Sequence, residues 1–236
     1  VDYVQYVHGS RWILGKHLLF ICNQVQAFIE TDTGHPYDIL ILQVPPQHGK
    51  SMSVTETLPS WFLGKWPEKR VIEASYNENF AQKFGRRNRD KIKQFGKELF
   101  DIEISGGKDS NEEFELSNKI GGMQSRGIMS GITGNPAELI IIDDPIKNRE
   151  EADSETNRDK QWDEWQNSIK TRCAAGAKVI VIMTRWHEDD LAGRLKIAEK
   201  NFVTSINIPC EAEENDPLRR ELGEALFPEI GKDNEW

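Results

Sequence analysis

Long apolar runs, paired cysteines and a net positive charge are all missing from this 236-residue chain. Apolar stretches are short, such as Ile13–Leu14 and Leu139–Ile142. A membrane-spanning helix needs about 20 apolar residues, so the sequence offers no candidate for one. No charged-then-apolar leader opens the chain either. Cys22, Cys173 and Cys210 are widely spaced and form no CxxC pair. That argues against structural zinc and a disulfide framework, and towards a reducing compartment. The histidines (His8, His17, His35, His48 and His187) include no HxxxH pair, so no histidine metal cluster is expected. Net charge is −9 and the isoelectric point about 5.2. A uniformly basic nucleic-acid coat is thereby excluded, while a local basic face is not. Repeats and low-complexity tracts are absent. The first residue is not Met, and the expectation is a piece of a longer protein.

What is present suits one large α/β domain. Hydrophobic residues make up 37% and charged residues 29%, enough for a core and too mixed for a disordered chain. Residues 1–33 carry apolar residues at loosely helical spacing, and Gly34-His35-Pro36 ends the pattern. Short apolar strands follow at Tyr37–Val44, Lys69–Tyr76, Glu138–Asp143, Ala177–Thr184 and Phe202–Ile208, with a weaker one at Glu112–Ser117. Helical segments are expected over Lys50–Leu63, Asn77–Phe95, Asp153–Arg172 and Glu188–Lys200. Strands alternating with helices predict a parallel sheet covered on both faces. From Cys210 the character changes. Glu211 to Trp236 holds nine acidic and three basic residues and reads as a linker or the start of a further domain.

The first chemical motif follows the Tyr37–Val44 strand: Pro45-Pro46-Gln47-His48-Gly49-Lys50-Ser51. A strand, a tight turn, GKS and a helix make the phosphate-loop arrangement, in which backbone N–H groups face phosphate oxygens. Lys50 would sit on the β- and γ-phosphates of ATP, and the Ser51 hydroxyl on Mg²⁺. The strict pattern GxxxxGK[ST] fails, because Val44 stands where its first glycine should be. On GKS alone, a loop with an exposed lysine is the other reading. A second motif, Leu139–Asp144, is an apolar strand ending in two acids. Asp143 would hold Mg²⁺, and Asp144 would polarise the attacking water. On its own this could be a buried strand ending in a capping acid. Together, on separate strands in this order, the two motifs favour a nucleotide site. In the third, AKVIVIMTRWHEDDLAGRL, Thr184 at a strand tip could sense the γ-phosphate. Glu188, Asp189 and Asp190 read better as first-turn acids of a helix than as a metal site.

PPQHGKS, ASY with FGRRNR, SGITG…LIIIDDPIKN and TRWHEDDLAGRL together resemble the ATPase half of a tailed-phage terminase large subunit. The resemblance runs from about Gly34 to Leu195, more weakly to Pro228. It implies a three-layer α/β/α phosphate-loop ATPase of the additional-strand type with a mostly parallel sheet. Residues 1–209 would form that domain, and 210–236 an acidic linker towards an RNase H-like nuclease domain. It further implies Mg²⁺-dependent ATP hydrolysis driving double-stranded DNA into a preformed capsid. The partners would be DNA, the capsid's portal protein, the small terminase subunit and further copies in a ring, with a monomer when alone. The setting would be the host cell cytoplasm, with no membrane partner.

Some residue roles come only through this resemblance. Pro46, Gln47, His48, Gly49, Lys50 and Ser51 would cradle the phosphates. Many terminases carry arginine where Gln47 stands, and another where Thr133 stands, so an arginine from elsewhere would serve the site. Arg126, Arg158 and Arg172 are candidates, and Arg158 is favoured as a donor across the ring; an ordinary exposed helix arginine is the alternative. Gln24 or Gln26 would hold adenine, with Trp12 and His17 further back; all four could equally be packing residues. From the composition itself, Lys83–Lys97 carries seven basic residues and one acid. Arg86, Arg87 and Arg89 there could track a DNA backbone or form a solvated face. Only about 28 residues follow Ile208, too few for a nuclease half with two metals. The competing readings are a helicase-like translocase and a non-hydrolysing ATP- or DNA-binding assembly module. A second acid at Asp144 argues against the latter.

Overall fold

The computed structural model describes residues 1–233. In chain order the helices are α1 (Asp2–His8), α2 (Lys16–Glu30), α3 (Lys50–Ser53), α4 (Leu58–Lys65), α5 (Glu78–Lys91), α6 (Lys97–Phe100), α7 (Arg149–Asp153), α8 (Glu155–Glu164) and α9 (Leu191–Ala198). The strands are β1 (Tyr37–Gln43), β2 (Arg70–Ser75), β3 (Ile104–Asp109), β4 (Glu113–Leu116), β5 (Gly122–Gly127), β6 (Ala137–Asp143), β7 (Cys173–Met183) and β8 (Val203–Asn207). They form one eight-stranded sheet in the order β3-β4-β5-β2-β6-β7-β1-β8. From β5 to β8 every pairing is parallel, and β3 and β4 add an antiparallel edge. β7 lies between β1 and β6, so one extra strand separates the two that carry the motif residues.

Side-chain alternation explains the layers. Leu40 and Leu42 of β1, Leu139 and Ile141 of β6, and Ile180 and Ile182 of β7 face Leu18, Ile21 and Val25 of α2 and Phe62 and Leu63 of α4. The intervening Ile39, Ile41, Ile140, Ile142, Val179 and Val181 face Trp165, Ile169, Leu191 and Leu195. Every residue of β1 is buried, as a central parallel strand covered on both faces requires. The result is the expected three-layer, mostly parallel α/β fold.

One local expectation is corrected, and two strands had no counterpart in the sequence reading. The helix expected over Lys50–Leu63 breaks into α3 and α4. The break turns Thr55 into the interior, where its hydroxyl donates to Asp143. The glycine-rich stretch Gly121–Gly134 contains β5. Gly122 packs there so closely that a Cβ would lie 2.4 Å from the Phe114 carbonyl oxygen, so the glycine permits the pairing with β4. β3, with Gly106 and Gly107 on an exposed edge, had no apolar pattern to reveal it.

The tail is also more ordered than a linker. Of the expected linker, residues 234–236 lie outside the described residues. Asp216 and Arg220 form a buried ion pair at 2.6 Å. Arg220 also donates to the carbonyls of Pro209, Cys210 and Glu224, closing the segment on itself. Leu226 and Phe227 enter the core beside α2. Phe227→Ala should therefore cost about 3–5 kcal/mol of stability, the usual range for a buried aromatic. Urea unfolding measures it, and a midpoint equal to wild type would mean that the tail is a detached linker.

Candidate active site

Beyond Gln43 the chain turns through Val44–Gly49 into α3. Gln47 (φ 61°) and Gly49 (φ 76°) take left-handed backbone in that turn. A Cβ on Gly49 would also lie 3.1 Å from Leu18, so both constraints favour glycine. The turn is held from behind by the N-terminal segment and the tail. His17 Nε2 donates to the His48 carbonyl at 2.9 Å, and Trp12 Nε1 donates to Ser53 Oγ at 2.8 Å. The Phe227 ring stands edge-on to His17, centroids 4.5 Å apart. Lys232 Nζ donates to Gln47 Oε1 at 3.2 Å. Burial pushes the His17 imidazole down to about 4, so it is neutral near pH 7 with its proton on Nε2.

Lys50 opens α3, and its side chain is only 6% exposed. Nζ donates to Asp144 Oδ1 at 3.0 Å and to Thr184 Oγ1 at 3.2 Å. One lysine thus joins the carboxyl ends of β1, β6 and β7, the edge where open α/β sheets bind ligands. Asp144 adopts φ 43°, a costly conformation for a residue with a side chain. Asp143 is fully buried. Its Oδ2 accepts from Thr55 Oγ1 at 2.7 Å, and Oδ1 has no partner. Burial first, and the Asp144 charge second, raise the Asp143 carboxyl; the Thr55 bond, the Lys50 charge and the Ser51 hydroxyl oppose them.

These residues fit a magnesium nucleotide. Gly49 precedes α3 and no side chain caps that helix, which leaves first-turn N–H groups for an anionic acceptor. The unpartnered Asp143 Oδ1 is a hard oxygen beside the Ser51 hydroxyl. Among the described residues no cluster of three or more His, Cys, Asp or Glu could hold a metal.

With this geometry in place, the likeness to known proteins is informative. A family model described as the terminase large subunit, T4likevirus-type, N-terminal, matches residues 41–236. The chain belongs to that terminase family. Its fold is similar to the large terminase of bacteriophage HK97, with a TM-score of 0.52 and 11% identity over 85% of this chain and 40% of that one. It is also similar to the large terminase of a thermophilic bacteriophage in complex with ATP-gamma-S. There the TM-score is 0.51 and the identity 13%, over 83% of this chain and 44% of that one. The terminase chain therefore spans less than half the length of either. No curated protein matches its sequence.

Other candidates of this terminase chain fall elsewhere. Arg158 does not present itself to a neighbour: its side chain is 9% exposed. It donates to the Ala152 carbonyl at 2.7 Å and to Asp189 at 3.2 Å, bracing its own subunit. To act across a ring it would have to leave these bonds. Arg126 pairs with Glu78 and Glu112, and Arg172 donates to the Gly134 carbonyl. Arg185, next to Thr184, is turned onto Asp190 and the carbonyls of His187 and Glu188. Gln24 and Gln26 are exposed on α2. Gln26 donates to Glu30 and lines a cavity with Ser53, Val54 and Thr57, just after the loop; Gln24 lines a different pocket with Phe28, Asp38 and Lys178. Trp12 and His17 are buried packing residues behind the loop. Asp190 caps α9 by accepting from the Gly193 N–H, and Asp189 pairs with Arg194 and Arg158. On α5, Arg86 is exposed, Arg87 pairs with Glu56, and Arg89 pairs with Asp90 and Asp109.

Sequence reasoning missed Thr55, Asn88 and Glu73. Nothing marked the first two. Glu73 did leave a signal, an acid inside an otherwise apolar strand. It is fully buried, accepts from Ser75 Oγ at 2.5 Å, and its Oε2 has no partner. Burial, with smaller contributions from the Asp143 and Glu78 charges, raises its carboxyl well above 4.5, so the fold keeps this proton to higher pH than the unfolded chain does. The unfolded chain releases it above about 4.5, so this contribution to stability is present in acid and lost as pH rises. Glu73→Gln should therefore gain stability relative to wild type between about pH 5 and pH 7. The slope is at most about 1.4 kcal/mol per pH unit. Paired urea titrations measure it; a constant difference would mean that Glu73 is ionised in the fold.

Proposed function

We propose that this chain is the Mg²⁺-dependent ATPase unit of a viral DNA-packaging motor, acting in the host cytoplasm. What carries the reading is Lys50, from the loop after β1, hydrogen-bonded to both Asp144 and Thr184 at the tips of β6 and β7. Family membership supports packaging as the process, and the thermophilic phage's large terminase bound to ATP-gamma-S supports nucleotide as the ligand. Pro46, Gln47, His48, Gly49, Lys50 and Ser51 wrap the phosphates. Lys50 leaves Asp144 to neutralise the β- and γ-phosphate oxygens. Asp144, released from the lysine, orients the attacking water. Thr184 stays within reach of the transferred group and feels its loss. Ser51 and Asp143 hold Mg²⁺, which when bound offsets phosphate charge.

Within the wider motor, the partners are double-stranded DNA, the portal protein, the small terminase subunit and further copies of the chain. α5 is the face offered to the duplex. Arg86 and Lys83 are its exposed cations with no ion-pair partner among the described residues, Lys83 lying over the Phe80 ring. Arg87 and Arg89 would have to exchange Glu56, Asp90 and Asp109 for phosphates. Arg86→Glu should weaken DNA binding equally for every sequence and flatten its salt dependence. A change in base preference would contradict this.

Phosphate release with Mg²⁺ and ATP tests the chemistry. Lys50→Ala should abolish turnover and weaken nucleotide binding. Asp144→Asn should keep binding while turnover falls about 10²-fold or more. Ser51→Ala should raise the Mg²⁺ requirement. Wild-type turnover by Lys50→Ala would overturn the proposal. No arginine bonds to Lys50, Asp144 or Thr184 among the described residues. A trans arginine is worth about 10³–10⁵ in rate in related chemistry. Specific activity should therefore climb with protein concentration; a flat profile would mean the site completes itself.

A further inference from the structure

Asp143 and α5 are joined by a short buried chain of hydrogen bonds that runs through Thr55. The Thr55 hydroxyl donates to Asp143 Oδ2 at 2.7 Å. The carbonyl of the same residue accepts from Asn88 Nδ2 at 2.9 Å. Asn88 lies on α5 between Arg87 and Arg89, and its side chain is fully buried. Its amide nitrogen also donates to the Phe84 carbonyl at 3.0 Å, and its oxygen accepts from the Ser60 N–H at 3.0 Å. One residue on from Thr55, Glu56 pairs with Arg87. A single peptide, Thr55–Glu56, is therefore bound on one side to the metal-side carboxylate and on the other to the basic helix.

The helix break explains why this is possible. Pro59, four residues on from Thr55, has no N–H to offer the Thr55 carbonyl and sits in the first turn of α4. Between α3 and α4 it is free to take Asn88 instead. Burial makes each link matter: removing the hydroxyl leaves a buried carboxylate oxygen unsatisfied. At its far end α5 passes into a π-helical turn, Ile92–Gly96, a wide turn of the kind often found at functional sites. That turn gives α5 a place to adjust relative to α6.

We propose that Thr55 and Asn88 are positioning residues that couple the magnesium nucleotide at Asp143 to the basic helix α5. Thr55 orients the Asp143 carboxylate so that Oδ1 faces the cation. Asn88 makes the position of Thr55 the position of α5. Loading the site then changes the setting of α5, and with it the availability of Arg86 and Arg87 to a phosphate backbone. The reading rests on the nucleotide assignment above and deepens it: α5 is the element through which the site addresses DNA.

The test is hydrogen exchange of peptides covering residues 78–91, with and without saturating Mg²⁺ and ATP-gamma-S, with nucleotide binding measured in parallel by calorimetry. In the wild-type chain, exchange in this segment should change at least about threefold on loading. Thr55→Val keeps the shape and removes the hydroxyl; at saturating nucleotide its α5 response should vanish. Thr55→Ser should restore it, which a purely structural role for the side chain would not require. Thr55→Ala replaces the valine variant if that chain fails to fold. If nucleotide does not bind the wild-type chain, the site assignment itself falls and the coupling with it. If it binds and α5 does not respond, or Thr55→Val responds like wild type, the coupling alone is overturned.

Discussion

A lysine, a carboxylate and a hydroxyl meet at the end of a parallel sheet, and the rest of the structure serves to keep them there. Lys50 is nearly buried, and Asp144 and Thr184 accept its hydrogen bonds. Burying a cation without such partners is costly, while Asp144 keeps 34% of its side chain exposed, so water screens its end of the pair. A site in this condition is also primed, because the lysine is parked on the acid that the proposed reaction needs. Phosphate oxygens would offer it stronger, charge-assisted bonds and set Asp144 free.

The same end of the sheet buries more than one acid. Asp143 and Glu73 lie on one face, in neighbouring strands, both out of water. Burial raises both carboxyls, and each feels the other or a nearby acid as well. A cation beside Asp143 Oδ1 would reverse that balance at one of them. Behind the loop the chemistry is apolar and neutral instead: a neutral His17, Trp12 and Phe227. The N-terminal helices and the tail are thus part of one unit with the loop, although both looked peripheral in the sequence.

Much of this was legible beforehand, for definite physical reasons. β1, β6 and β7 are apolar on both faces, so their runs stood out, and Lys50, Asp143, Asp144 and Thr184 sit at their ends where a sequence reader would look. The edge strand β3 did not stand out because its glycines bury nothing. The tail read as a linker because its charge is acidic overall. Its order depends on one pair, Asp216 with Arg220, and on Phe227, and composition does not weigh single contacts. Arg158 read as a free helix arginine because the sequence cannot say that Asp189 lies across from it. Thr55 was hidden inside an expected helix, although Pro59, which has no N–H for the Thr55 carbonyl, was the local mark of its break; the bonds from Thr55 to Asp143 and Asn88 are tertiary and left no mark.

The account stands on one claim, that Lys50 exchanges Asp144 for phosphate. A crystal structure of the chain with Mg²⁺ and ATP-gamma-S measures this directly. The account predicts the triphosphate in the turn from Pro46 to Ser51, with Lys50 Nζ within hydrogen-bonding distance of a phosphate oxygen and beyond it from Asp144. Nucleotide bound elsewhere, or bound in the turn with the Lys50–Asp144 pair intact, would contradict it.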